Sequence, residues 1–113
     1  MDIQSKTVEF YMLHRGSLPS LAEALDMFIE ESQELIEAVQ RYLAGEDTLD
    51  HVAKEIGDNG FVVAAIAEVL GVEYEVALDI VAEDNIHNKV QTRSGKIKRK
   101  EGYEPPSMKA AIL

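Results

Sequence analysis

The sequence of 113 residues contains no cysteine. This absence excludes disulfide bonds, thiolate metal sites and a cysteine nucleophile. The first ten residues, MDIQSKTVEF, lack the basic start and apolar stretch of a signal peptide. No apolar run is long enough to span a bilayer. We therefore expect a cytoplasmic protein with no membrane partner. Apolar residues make up 46% of the chain, which is enough to form the core of one domain.

Charge is distributed unevenly along the chain, which has a net charge of −10. Residues 1–92 carry 19 acids and 5 bases, a net charge of −14, whereas residues 93–113 carry 6 bases and 2 acids, a net charge of +4. An acidic body argues against binding along duplex DNA, which needs a basic face. Its carboxylates can instead bind a metal ion, or simply form a solvated acidic surface.

The hydrophobic pattern predicts an all-α fold of four helices joined by short turns. Breakers and caps place these helices at about residues 3–14, 20–44, 48–70 and 73–91. The turn signal Ser94-Gly95 and the pair Pro105-Pro106 follow, so we expect the tail to be irregular or to form a short hairpin. The predicted organisation is therefore a helical domain over residues 1–92 and a basic tail over residues 93–113.

The segment FVVAAIAEVL, residues 61–70, is apolar nearly all round. A helix of this kind is buried on most of its faces. A chain this short has little interior to cover such a helix, and short domains often gain stability by association. We therefore expect a four-helix bundle that is completed by dimerisation.

Two pairs of acidic residues occupy the apolar faces of the predicted second and third helices. Glu31 falls within the apolar face of the second helix, and Glu34 lies at its edge; Glu55 and Asp58 repeat this arrangement on the third. A carboxylate in an apolar face is unfavourable without a partner. Because residues three apart are neighbours on a helix, two facing pairs would bring four carboxylates to one point.

Four carboxylates at one point repel each other, and a divalent cation removes that repulsion. Ligation by oxygen alone suits Mg²⁺ or Mn²⁺ better than Zn²⁺. Di-iron bundles use Glu-x-x-His pairs on two of their helices, but here Glu34 and Asp58 stand three residues after Glu31 and Glu55. A solvated helix face explains a single acidic pair, whereas two pairs on apolar faces favour a metal site.

Polar residues outside these pairs are candidates for substrate contacts. Asn59 shares a face with Glu55, where it could support the site by a hydrogen bond or contact a sugar or base. In the tail, Lys98 and Tyr103 could close over phosphates and a base, or the tail could simply pack on the acidic body. The histidines show no metal spacing, and we expect them at the surface or at helix ends: His14, His51 and His87.

Two motifs resemble those of a known family. The segment Glu30-Glu31-Ser32-Gln33-Glu34, followed by Glu55-Ile56-Gly57-Asp58, resembles the EExxE…ExxD signature of MazG-type nucleotide pyrophosphohydrolases. The surrounding segments FIEESQELIEAV and EIGDNGFVVAAIAEVLG are similar to the two central helices of that family. The resemblance covers roughly residues 20–91.

The resemblance implies an all-α enzyme that assembles as a dimer or a dimer of dimers. It implies Mg²⁺-dependent hydrolysis of nucleoside triphosphates between the α and β phosphates, which yields the monophosphate and pyrophosphate. By position in the motifs, the resemblance implies that Glu30 orients or deprotonates the attacking water. It also implies four metal ligands, namely Glu31, Glu34, Glu55 and Asp58. Asn85 and Lys89 match polar residues that the family places near substrate on its last helix.

Two hypotheses for function follow. The first is a house-cleaning enzyme that removes non-standard or excess (deoxy)nucleotides, with a dUTP-type or phosphoribosyl-ATP pyrophosphohydrolase as a variant on the same scaffold. The second is a non-catalytic helical dimer that binds nucleotide or a partner protein through the same groove. The first predicts metal-dependent release of pyrophosphate, and the second predicts affinity without turnover.

Overall fold

The computed structural model of this protein describes residues 2–91 and 94–113. Within them the elements follow in the order α1 Ile3–Arg15, α2 Leu21–Leu43, α3 Leu49–Leu70, α4 Tyr74–His87, β1 Lys89–Gln91, β2 Ile97–Arg99 and a 3₁₀ turn Lys109–Ala111. The prediction of an all-α fold with four helices is confirmed. None of the described helices is both long enough and apolar enough to cross a membrane.

Side-chain caps explain where the two central helices begin. The Ser20 hydroxyl accepts a hydrogen bond from the Glu23 backbone N–H at 3.1 Å, and the Glu23 carboxylate accepts the Ser20 N–H at 3.1 Å. This reciprocal capping box satisfies donors that the first turn of α2 leaves unpaired. Thr48 caps α3 by accepting the backbone N–H of His51. At the end of α3, Gly71 adopts a φ of 73°, the left-handed conformation that favours glycine.

The first compact unit of the chain is Met1–Gly71. In it α2 and α1 both pack against α3. Both α2 and α3 carry small buried side chains, with Ala24 and Ala38 on α2 and Ala64 and Ala65 on α3. Because alanine has so small a side chain, the backbones of α2 and α3 can approach closely, which brings the polar side chains between them into reach of one another. As predicted, the centre of the apolar run 61–70 is buried.

One face of α2 carries large apolar side chains that the first unit leaves about half exposed or more. They are Leu25, Ile29, Ile36 and Leu43. At about 100° per residue these four positions fall within about 40° of one another, so they form a continuous row, here called the α2 stripe. The predicted dimerisation would cover such a surface, and it stays a prediction.

The second compact unit is Val72–Leu113. Its two ends meet, because the Glu73 N–H donates to the Ala111 carbonyl at 2.7 Å. The fourth helix ends at His87, so its predicted continuation to Gln91 is wrong. Instead, β1 pairs antiparallel with β2, from Lys89 opposite Arg99 to Gln91 opposite Ile97. A short hairpin was one of the two forms expected for the tail, but only β2 lies in the predicted tail of residues 93–113, whereas β1 lies in the segment that was predicted as helix.

The contacts within the chain divide it between Gly71 and Val72. The boundary predicted from composition lies between Thr92 and Arg93, which are outside the described residues. That boundary therefore stays a prediction. Composition changes where the basic tail starts, whereas the division by contacts follows the Gly71 turn at the end of α3.

Candidate metal centre

Three carboxylates meet where α2 packs against α3. One oxygen from each of Glu31, Glu34 and Glu55 lies within 4.8 Å of the other two. The three-residue spacing places Glu31 and Glu34 on adjacent positions of α2, and the packing of the helices brings Glu55 to them. Glu55 is buried, Glu31 is half-buried and Glu34 is exposed. The cluster therefore runs from the helix interface out to solvent, as a site that admits an ion must.

Two oxygens of this cluster lack a hydrogen-bond donor. Oε2 of Glu31 and Oε2 of Glu55 are buried, and neither accepts a hydrogen bond from any residue that the structure describes. A buried carboxylate oxygen without a donor or cation is strongly disfavoured. A metal ion bound between the helices would satisfy both atoms, so the residues present fit the cation that was predicted.

The electrostatic state of Glu31 reflects this crowding. Burial raises the pKa of the Glu31 carboxyl above its ordinary value, and the negative charge of Glu34 raises it further. Asp58 and Glu55 act in the same direction. A divalent cation would reverse the effect, because it favours the ionised form of each carboxylate. Donors that are all hard oxygens suit Mg²⁺ or Mn²⁺.

Asp58, the fourth predicted ligand, lies beside the cluster and is held by a cation. Its Oδ2 accepts a hydrogen bond from the Lys54 ammonium at 2.7 Å, and this bond raises the pKa of Lys54. Among the described residues, the carboxylate oxygens that lie close enough to share an ion belong to the other three predicted ligands, Glu31, Glu34 and Glu55. The charge of Asp58 still reaches Glu31, whose pKa it helps to raise. Its assignment as a ligand stays a prediction.

Asp47 and His51 form a contact with the cluster that the sequence reasoning missed. His51 Nδ1 lies 2.7 Å from Asp47 Oδ2, and His51 Nε2 lies 3.2 Å from Glu55 Oε1. The bond from His51 holds the pKa of Asp47 below its ordinary value, and Asp47 in turn raises the pKa of His51. The three residues are spaced four apart: Asp47 lies just before the Thr48 cap, and His51 and Glu55 are neighbours on one face of the first turns of α3. The four-residue spacing from Asp47 to His51 and from His51 to Glu55 is the sequence signal for these contacts, whereas only a surface or helix-end position was predicted for His51.

Glu30 and Asn59 occupy positions next to the cluster in sequence. Glu30 is exposed on α2, immediately before Glu31. The Asn59 amide donates to the Ser32 hydroxyl at 3.0 Å and so links α3 to α2 one turn beyond Glu55. This bond joins the two helices beside the cluster, but its partner is Ser32 rather than one of the clustered carboxylates. The catalytic role of Glu30 and a substrate contact by Asn59 stay predictions.

Tyr103 and Lys89 hold the hairpin of the second unit against α4. The Tyr103 hydroxyl donates to Asp84 at 2.7 Å, and the Asn88 amide donates to the same carboxylate at 2.8 Å. The bond from Tyr103 holds the pKa of Asp84 below its ordinary value and raises the pKa of Tyr103 itself. The charged groups of Lys89 and Arg99 each lie 4.9 Å from the centre of the Tyr103 ring. These contacts explain why the chain leaves the helix after His87.

The remaining predicted substrate contacts are exposed within the second unit. Asn85 lies on α4, and Lys98 lies on β2 opposite Val90. Their contact with substrate, like that of Lys89 and Tyr103, stays a prediction. The structure also gives Tyr103 a structural contact, because its hydroxyl donates a hydrogen bond to Asp84.

Comparison with known protein families gives one match. The family model described as the MazG nucleotide pyrophosphohydrolase domain matches residues 20–97. The match includes both acidic motifs, all of α2, α3 and α4, and the first strand of the hairpin. Comparison with curated proteins and with solved structures gives no significant match.

Proposed function

We propose that this chain, which belongs to the MazG nucleotide pyrophosphohydrolase family, is a Mg²⁺-dependent enzyme that hydrolyses (deoxy)nucleoside triphosphates between the α and β phosphates. Its products would be the nucleoside monophosphate and pyrophosphate. The observation that carries this proposal is the meeting of three carboxylates with two buried oxygens that have no hydrogen-bond donor. Mn²⁺ is a possible substitute for Mg²⁺, because it accepts the same oxygen ligands.

The charges of the site and the substrate make a cation necessary. A triphosphate is strongly anionic at neutral pH, and the cluster that would receive it is itself acidic. When bound, a divalent ion supplies the positive charge that phosphate oxygens and carboxylates share. Glu31 and Glu55 would hold this ion with their buried oxygens, and Glu34 would complete the set at the solvent side. Asp58 would join them if its bond to Lys54 opened.

The hydrolytic step needs a water molecule that attacks the α phosphorus. We assign Glu30 to orient this water and to take its proton, because Glu30 is exposed and adjoins Glu31 on α2. The oxygen of the water forms a bond to the α phosphorus, and the bond from that phosphorus to the bridging oxygen breaks. Pyrophosphate leaves with the electron pair of the broken bond.

The substrate would be a (deoxy)nucleotide whose removal protects the cell, that is, a non-standard or excess one. Asn59, Asn85, Lys89, Lys98 and Tyr103 are the proposed contacts to its base, sugar or phosphates. Lys98, which is exposed on β2, would contact a phosphate through its ammonium. Tyr103 would contribute its ring rather than its hydroxyl, since the hydroxyl already donates to Asp84.

The active form would be a homo-oligomer built from dimers. The support for this is the α2 stripe, whose large apolar side chains are about half exposed or more in the single chain. A contiguous apolar surface of this kind marks an interaction site more often than an ordinary protein surface. A second copy of the same face, packed against the first, would bury it by a self-complementary contact.

The experiment that tests the enzyme is release of pyrophosphate from a panel of ordinary and modified (d)NTPs, each with Mg²⁺ and with EDTA. Release that depends on Mg²⁺ would support the proposal, and the order of rates would identify the preferred base and sugar. Nucleotide binding without release from any member of the panel would overturn it in favour of the non-catalytic helical dimer.

A further inference from the structure

A chain of hydrogen bonds runs from the start of α3 to the carboxylate cluster. Asp47 precedes the helix, and its Oδ1 accepts the Thr48 backbone N–H at 2.7 Å. Its Oδ2 lies 2.7 Å from one nitrogen of His51, whose other nitrogen lies 3.2 Å from Glu55 Oε1. The Asp47 side chain is 9% exposed and the Glu55 side chain 7%. The chain therefore has a fixed carboxylate at each end.

Both ring nitrogens of His51 face a carboxylate oxygen, Nδ1 that of Asp47 and Nε2 that of Glu55. The two contacts together fix the orientation of the imidazole ring, because turning the ring would break at least one of them. Arg41 Nε lies 3.8 Å from the same Asp47 oxygen. His51 is therefore held by Asp47 at one nitrogen while the other contacts Glu55.

The two oxygens of Glu55 are in different situations. Oε1 receives the bond from His51, whereas Oε2 is buried without a donor. Lys54 does not replace His51 as the group that orients Glu55, because its ammonium is 3.9 Å from Oε1 and bonds instead to Asp58 at 2.7 Å. The bond to His51 therefore restricts rotation of the Glu55 carboxylate and leaves Oε2 available to a cation.

We propose that His51, anchored by Asp47, is a positioning residue for metal binding: it holds Glu55 by Oε1 so that Oε2 is presented as a ligand. The inference rests on the proposed function, because it requires a metal at the cluster. Ligating carboxylates are commonly oriented by such outer hydrogen bonds, and loss of the outer partner weakens metal affinity by about 10–100-fold. Asp47 acts only through His51.

The competing explanation is an ordinary pair on a helix surface. Glu83 and His87 form one on α4, where the His87 ring lies 3.1 Å from the Glu83 carboxylate and both side chains are well exposed. This pair has the four-residue spacing of His51 and Glu55 but lies outside the carboxylate cluster. His87→Ala is therefore a matched control for His51→Ala.

The experiment is titration of the full chain with Mn²⁺, read by the electron paramagnetic resonance signal of the free ion, without nucleotide. It compares the wild type with His51→Ala, Asp47→Asn, the double variant and His87→Ala, each shown to be folded by circular dichroism. We expect about tenfold weaker Mn²⁺ binding in His51→Ala and wild-type affinity in His87→Ala. In the double-mutant cycle, Asp47→Asn should weaken binding in the wild type but change little once His51 is gone.

The outcomes separate this inference from the proposed function. Wild-type affinity in a folded His51→Ala variant would overturn the positioning role while leaving the metal site intact. Equal effects of Asp47→Asn with and without His51 would overturn the anchoring of His51 by Asp47. Failure of the wild type to bind Mn²⁺ or Mg²⁺ would remove the metal site itself, and the positioning role with it.

Discussion

Oε2 of Glu31 on α2 and Oε2 of Glu55 on α3 are both buried, and neither accepts a hydrogen bond from a described residue. In a site that served only the fold, such atoms would be unfavourable, because water has been removed from them and no donor replaces it. One such atom on each of two contacting helices is what a fold that gives up stability for binding would contain. Enzymes often place strained or destabilised groups where they act.

The first prediction is that Glu31→Gln stabilises the metal-free protein. Burial raises the folded-state pKa of Glu31 above its ordinary value of 4.5. The ionised carboxylate therefore destabilises the fold, by an amount that is absent below about pH 4.5 and fully present above the raised pKa. An uncharged amide removes this term, so the melting temperature in EDTA at pH 8 should rise by a few degrees.

The same variant should lose its response to metal. A ligand that binds only the folded state raises its stability, so Mg²⁺ should raise the melting temperature of the wild type but hardly that of Glu31→Gln. Glu37→Gln is the matched control, because Glu37 is exposed on α2 outside the carboxylate cluster. If the melting temperature in EDTA falls in Glu31→Gln but not in Glu37→Gln, Glu31 stabilises the metal-free fold and the prediction is contradicted.

The second prediction is that Glu55→Gln abolishes turnover while the fold is retained. The change removes the charge of a proposed metal ligand but hardly alters its volume. Pyrophosphate release at saturating Mg²⁺ should fall by more than about 100-fold, the upper end for residues that merely support a ligand. Glu37→Gln again serves as the control. Near-normal release from a folded Glu55→Gln variant would show that the cluster is not the catalytic metal site.

Helical periodicity was sufficient to place the carboxylates. Glu31 and Glu34 share one side of α2, and α3 brings Glu55 to them, because apolar faces must pack and the three acids lie in or beside those faces. Asp58 shows what periodicity leaves out. Lys54 is four residues before it, and in the structure that pair forms an ion pair at 2.7 Å. Whether Asp58 binds Lys54 or turns toward the other carboxylates depends on side-chain positions, and the spacing of residues in the sequence does not determine those positions.

Other parts of the structure depended on contacts between distant residues. The fourth helix ends early because Asp84 binds Tyr103, nineteen residues later, and β1 pairs with β2. The turn signal Ser94-Gly95 indicates a hairpin in this part of the chain, but no local signal indicates that its first strand replaces the end of α4 or that Tyr103 binds Asp84. His51 was a different kind of omission, because its four-residue spacing to Glu55 is local and could have been recognised as an outer hydrogen bond to a ligand.

The third prediction concerns the oligomer. Ile36 lies in the centre of the α2 stripe and is 54% exposed in the single chain. If a second copy covers this face, Ile36→Glu places a charge in an apolar interface, which is strongly unfavourable. We expect the variant to sediment as a monomer at a protein concentration where the wild type is a dimer or larger, as measured by analytical ultracentrifugation.

A control for this experiment comes from the hairpin. Ile97 on β2 is 68% exposed and does not belong to the α2 stripe. Ile97→Glu should leave the mass in solution unchanged. Dissociation by Ile97→Glu but not by Ile36→Glu would place the interface on the second unit, and a monomeric wild type would contradict dimerisation altogether.

The fourth prediction is that Tyr103→Phe loosens the hairpin and raises the pKa of Asp84. The Tyr103 hydroxyl is the main cause that holds this pKa below its ordinary value of 3.8. Because the folded-state pKa is lowered, ionised Asp84 stabilises the fold above about pH 3.8, and this contribution is lost as the pH falls through the lowered value. Carbon-13 titration of the carboxyl should show the Asp84 pKa closer to 3.8 in the variant.

The hairpin gives an independent measurement of the same bond. The Lys100 N–H donates to the Asn88 carbonyl at 3.0 Å, beside the carboxylate that Tyr103 binds. At pH 7 the Lys100 amide should therefore exchange with solvent faster in Tyr103→Phe than in the wild type. Tyr42→Phe is the control, since Tyr42 is exposed on α2 in the other unit, and it should change neither quantity. An unchanged Asp84 pKa in Tyr103→Phe would mean that Asn88 and the neighbouring cations suffice to lower it, which would reduce Tyr103 to a packing role.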